Sequence, residues 1–158
     1  MAELTDIVCR LLDARVDFVV VGGLAAVTYG SPVMTHDIDV CCDFSTNNLM
    51  RLQDALEDIH PVHRMTSERI PLKLTPEFCK GLKNLYLDTD IGQLDCLSQV
   101  CAVGGYSETL RSSEEIEIDG YACHVLRIEH LIKSKQAMGR DKDLETIRYL
   151  RAIRNRNA

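Results

Sequence analysis

Residues 36–42 read His-Asp-Ile-Asp-Val-Cys-Cys. Two aspartates one residue apart break an apolar run, and no other stretch constrains the fold as tightly. A carboxylate at the edge of a core is costly unless something pairs with it. In a β-strand alternate residues share a face. A strand over 36–42 therefore turns Asp37 and Asp39 to one side and leaves Ile38 and Val40 to bury on the other. Two neighbouring carboxylates repel unless a cation lies between them. Mg²⁺ suits that role, held by one or two carboxylates together with substrate phosphates. A Ca²⁺ loop of the EF-hand kind is excluded, because Cys41, Cys42 and Asn48 stand where its later ligands belong. The plain alternative is an edge strand with its polar residues outward.

Further residues bear on that choice. Gly22-Gly23 closes the apolar stretch Asp17–Gly22 and opens a short helical one. Glycines let a ligand approach the backbone, and a helix N-terminus offers free N–H groups to an anion; a tight turn is the simpler reading. Asp95 interrupts a second apolar strand, between Leu94 and Cys96. Laid beside Asp37 and Asp39, it would make a three-carboxylate site able to hold two metal ions. Asp88 and Asp90 form another Asp-x-Asp, but their composition predicts a turn. Lys135 falls on the helical stripe of Ile128, Leu131, Ile132 and Met138, whereas Lys133 does not. An inward lysine reaches an acid or a phosphate, unless it snorkels to solvent.

The spacing of apolar residues predicts a first helix from Leu4, Ile7, Val8, Leu11 and Leu12, then strands at 17–22 and 36–42. Ser45 or Thr46 would cap a helix carrying Leu49, Leu52, Leu56 and Ile59. Pro61, Pro71 and Pro76 leave 60–82 unassigned. Strands follow at 84–87 and 92–97, then a hairpin around Gly120, then helices over 128–138 and 141–155. This order predicts an α/β (α+β) fold: a mixed sheet flanked by helices, with a C-terminal helical pair. With 158 residues and no Pro/Gly-rich linker, one domain over 1–158 is expected.

No apolar stretch approaches the ~20 residues of a membrane span, and the N-terminus lacks a signal-peptide pattern. The seven cysteines have no CxxC pair. They read as reduced, buried thiols of a cytoplasmic protein. The net charge is −6, yet residues 127–158 hold nine Lys and Arg against four Asp and Glu. The acidic body argues against nonspecific coating of nucleic acid. The basic end is either a solvated helix surface or a face turned toward phosphates.

Gly22-Gly23, then Asp37-Ile38-Asp39, then Asp95 follow the order of the nucleotidyltransferase-fold superfamily, which the chain resembles over roughly residues 17–150. More narrowly it looks like the type IV abortive-infection toxin group (AbiEii type), whose R-x-K-D-x-x-D run is matched here by Arg140-Asp141-Lys142-Asp143-Leu144-Glu145-Thr146. Gly23 stands where relatives carry serine, Val33 where they often carry arginine, and Thr146 where they carry an acid.

The resemblance implies transfer of a nucleoside monophosphate from an NTP to a hydroxyl acceptor, with release of pyrophosphate. Asp37, Asp39 and Asp95 would be the catalytic metal ligands for two Mg²⁺ ions, with Mn²⁺ as a substitute. Gly22 and Gly23 would cradle the triphosphate, and Lys135, Arg140 and Lys142 would neutralise its charge. The acceptor would be tRNA, a protein hydroxyl or a small molecule, and a toxin setting would add an antitoxin partner. Two other classes stay open: a nucleotide-binding or antitoxin-like module of weak activity, and a structural partner in an operon-encoded complex.

Overall fold

The alternation of apolar residues becomes a seven-stranded mixed sheet. The structure is a computed structural model and describes residues 2–157. Helix α1 (Ala2–Asp13) leads into β1 (Phe18–Val21) and α2 (Gly22–Thr28). Strand β2 (Asp37–Cys42) is followed by α3 (Thr46–Leu56) and a 3-10 turn, Glu57–Ile59. The proline-broken region supplies a short β3 (Val62–His63) and α4 (Pro76–Cys79). Next come β4 (Asn84–Thr89), β5 (Gly92–Leu97), the two-residue strands β6 (Gln99–Val100) and β7 (Gly104–Gly105), and α5 (Tyr106–Arg111). The hairpin of β8 (Ser113–Ile118) and β9 (Tyr121–Leu126) precedes α6 (Ile128–Met138) and α7 (Asp141–Arg156).

The main sheet runs β3-β4-β5-β2-β1-β9-β8, while β6 and β7 pair separately. Register fixes the two faces. Ile38 is paired with Leu94 and Val40 with Cys96, and Leu85 and Leu87 continue the row. All six are almost wholly buried. A side chain at Gly92, on this same face, would meet Leu4 and Ile7, so α1 covers it. Helix α3 packs against α1 and buries Leu49, Leu52 and Leu56 as its spacing predicts. The other face carries Asp37, Asp39, Asp95 and Tyr86 and is flanked by α2, α6 and α7.

Two sequence expectations need correction. The turn expected at 88–90 is shorter: Asp88 and Thr89 are still ladder residues of β4, paired with Gln93 and Gly92. Pairing on both sides of β4 holds Asp88 extended, since Val62 sits opposite it on β3. Met138, placed on the buried stripe of α6, is exposed. It ends the helix at the mouth of a cavity instead of within the core.

Candidate active site

Asp39 and Asp95 are register partners in the parallel pair β2–β5, with Asp37 opposite Gln93 two residues before. Partners in register point the same way. One oxygen from each of Asp37, Asp39 and Asp95 lies within 4.8 Å of the others. Burial first, then the charges of Asp37 and Asp95, push the Asp39 carboxyl up to about 7. Burial also raises Asp95; Arg64 opposes the rise and Asp37 adds to it.

Gly22 owes its identity to this cluster. Val21 pairs with Asp39 in the antiparallel β1–β2 ladder, so the next residue lies directly against that carboxylate. Gly22 has φ +67°, and a Cβ there would collide with Oδ2 of Asp39. At Gly23 a Cβ would come within 2.8 Å of Thr35 Oγ1, a hydroxyl that donates to the Asp37 carbonyl at 2.9 Å. The glycine pair thus admits the acidic strand as a close neighbour.

The three carboxylates open into a cavity of about 640 Å³. Lys135, Arg140 and Lys142, all singled out in the sequence, line it from α6 and the start of α7. Lys135 is buried whereas Lys133 is exposed, as the helical spacing requires. Its Nζ lies 3.5 Å from Oδ1 of Asp143. Arg140 grips the same carboxylate with two bonds, Nε to Oδ2 at 2.7 Å and Nη2 to Oδ1 at 3.2 Å. Burial raises the Asp143 carboxyl, but the Arg140 hydrogen bond and the charge of Lys135 outweigh it and hold the group below its usual range. Burial lowers Lys135, with Asp143 and Asp39 pulling the other way. The charges of Lys135 and Lys142 also reach Asp39. Arg140 is therefore already committed to an acid, a role its sequence position did not show.

No protein-family model and no curated protein sequence matches the chain. Solved structures do. The lincosamide antibiotic adenylyltransferase LnuA, bound to lincomycin, superimposes with a TM-score of 0.65 at 17% identity, covering 97% of each chain. The antibiotic-resistance factor ANT(2'')-Ia, in complex with adenylyl-2''-tobramycin, gives 0.56 at 16% identity over 97% of this chain and 95% of that one. A Thermotoga maritima protein provisionally described as a nucleotidyltransferase gives 0.57 at 20% identity, over 90% and 86%. The chain has the nucleotidyltransferase fold. The narrower abortive-infection likeness rests on sequence motifs alone.

Within this nucleotidyltransferase fold, the donor set suits a hard divalent cation. Three carboxylate oxygens converge, and burial with mutual repulsion strains them when they are charged. A divalent ion relieves both. Among the described residues this is the only cluster of three or more such side chains close enough to share an ion.

The site contains a residue that sequence reasoning missed. Arg64, just past β3, donates from Nη2 to Oδ1 of Asp95 at 2.7 Å and from Nη1 to Oε1 of Gln93 at 3.2 Å. Its guanidinium lies 5.8 Å from the centre of the Tyr86 ring. Arg64 sits in the segment left unassigned between prolines, and only the β3–β4–β5 ladder brings it to Asp95. Asp88 and Asp90 stay apart from the cluster. Asp88 pairs with Arg69 at 3.4 Å, and Asp90 with His60 at 2.6 Å.

Proposed function

We propose that this protein transfers a nucleoside monophosphate from an NTP to a hydroxyl acceptor, releasing pyrophosphate. The observation that carries the reading is the convergence of Asp37, Asp39 and Asp95 at the floor of a cavity walled by Lys135, Arg140 and Lys142. Acids that collect cations, facing bases that collect phosphates, match a metal–triphosphate substrate. The adenylyl group named in the ANT(2'')-Ia complex and the adenylyltransferase name of LnuA point the same way.

Asp37, Asp39 and Asp95 would hold two Mg²⁺ ions, or Mn²⁺ in their place. Bound there, the ions supply charge neutralisation at the attacking and leaving oxygens. The chain does the rest by position and field. Asp95, bonded to Arg64 and paired with Tyr86, would accept the proton of the acceptor hydroxyl. Gly23 lines the cavity where α2 begins, and the triphosphate would approach the backbone there, while Gly22 gives its room to the Asp39 carboxylate. Lys135 and Lys142 face the charge that grows on pyrophosphate, and Arg140 holds Asp143 so that Lys135 keeps its place. Little covalent work falls to the protein.

The acceptor is tRNA, a protein hydroxyl or a small molecule. The run from Arg140 to Thr146 supports an abortive-infection setting with an antitoxin partner, although Thr146 faces the cavity where that group carries an acid. The test is incubation with each of the four NTPs labelled at the α-phosphate, with Mg²⁺ and cell extract. Metal-dependent transfer of label to one class of acceptor supports the reading. Tight NTP binding without transfer would favour a nucleotide-binding module instead.

A further inference from the structure

The three carboxylates do not stand alike. Among the described residues, neither Asp37 nor Asp39 has an ion-pair partner, but Asp95 has Arg64. That pair is well built. The Arg64 side chain is 21% exposed and Asp95 13%. The Arg64 backbone N–H donates to the Tyr86 carbonyl at 2.9 Å, and Tyr86 is the register partner of Asp95 on β4. The stem is thus anchored one strand away from the carboxylate it reaches. Gln93 receives the second arm of the guanidinium, and the Tyr86 ring lies beneath it. A planar fork on a fixed stem holds its acceptor with direction, which a lysine would not do.

We propose that Arg64 is a positioning residue that occupies Asp95 in the nucleotide-free protein and competes with a divalent ion for that carboxylate. The inference rests on the metal-site reading given under Proposed function. Two of the acids are left for a first cation. Engaging the third requires a charge-assisted hydrogen bond to be given up. Full loading of the site then falls to the moment when a metal-bound triphosphate brings its own ligands, so the empty enzyme does not arm itself. The freed guanidinium remains at the cavity wall beside Tyr86, where it can meet the acceptor.

The test is calorimetric titration of nucleotide-free protein with Mn²⁺. Arg64→Gln should bind Mn²⁺ about tenfold or more tightly than wild type, the size expected when a charge-assisted hydrogen bond no longer has to be broken. The same substitution in an Asp95→Asn background should change affinity less than about twofold, because the contested carboxylate is gone. Unchanged or weaker binding in Arg64→Gln overturns the proposal, as does an equal gain in the Asp95→Asn background, which would mark a diffuse field effect. Failure of both wild type and Arg64→Gln to bind Mn²⁺ would overturn the metal-site reading itself, a separate outcome. A second measurement needs no folded variant. In wild-type protein the Arg64 guanidinium ¹⁵N signals should move when Mg²⁺ is added together with a non-hydrolysable NTP, and signals that stay fixed at saturation with both overturn the proposal.

Discussion

Asp39 and Asp95 face each other across a parallel strand pair, 56 residues apart in sequence and in register in the sheet. This relationship turns an ordinary Asp-x-Asp into a candidate metal cluster, because each acid lies on a strand whose other face is locked in the core. Neither can turn away without pulling Ile38 or Leu94 out of it.

Asp37→Asn and Asp39→Asn should each abolish nucleotidyl transfer while leaving a folded protein. Asp39→Asn should also stabilise the metal-free protein at pH 8. Burial, with the charges of Asp37 and Asp95, pushes the folded Asp39 carboxyl up to about 7, well above the ordinary carboxylate range. The native state therefore holds the proton more tightly than the unfolded chain does. Stability is lost as pH rises from about 4 through 7, and asparagine removes that loss. The gain at pH 8 should be roughly 2–4 kcal/mol. Denaturant unfolding of both proteins in EDTA at pH 5 and pH 8 measures it; an equal difference at the two pH values would contradict the assignment.

Asp95→Asn should lose chemistry and keep most NTP affinity, since the basic wall is elsewhere. Asp88→Asn and Asp90→Asn should stay active, because each is paired with a surface group away from the cluster. Single-turnover rates beside NTP dissociation constants separate these cases.

Much of this was legible beforehand, and the exceptions share a cause. The strands carrying Asp37, Asp39 and Asp95 declare themselves by alternation. The inward lysine declares itself by helical spacing. Each is a local pattern. Arg64 has no such pattern, being one charged residue after a two-residue strand among prolines. Only long-range pairing gives it meaning. Asp143 reads as one more surface acid in a charged run, yet it is 1% exposed. It is buried because Lys135 reaches it from α6 while Arg140, at the N-cap of α7 three residues before it, grips it from the same turn. Asn48 is similar: fully buried, it accepts from the backbone N–H of Asp17 and donates to the carbonyls of Asp17 and Asp43. That tie joins the start of α3 to the ends of β1 and β2.

Lys135→Ala should weaken NTP binding by about tenfold or more, the worth of a charge-assisted contact to phosphate. Lys133→Ala, on the exposed face, should leave binding unchanged. Lys135→Ala should in addition cost roughly 1–3 kcal/mol of stability, because Asp143 loses one of its two cations while remaining buried. Titration with a non-hydrolysable NTP and a urea melt read the two effects separately. Equal NTP affinity in both variants would reduce Lys135 to a structural partner of Asp143.

Gly22→Ala should be among the most damaging small substitutions in the chain. It places a side chain at φ +67° and against the Asp39 carboxylate. The backbone penalty alone is roughly 1–2 kcal/mol, and the collision displaces the Asp39 side chain itself. Melting temperature and Mn²⁺ affinity should both fall; a variant with wild-type values for both would show that Gly22 is not fitted to Asp39.

The most direct test of the central claim compares NTP labelled at the α-phosphate with NTP labelled at the γ-phosphate, using wild-type protein and Asp37→Asn in cell extract with Mg²⁺. The account predicts that only the α-label reaches an acceptor, that EDTA abolishes the transfer, and that Asp37→Asn gives none. Transfer of the γ-label, or α-label transfer that survives in Asp37→Asn, would contradict it.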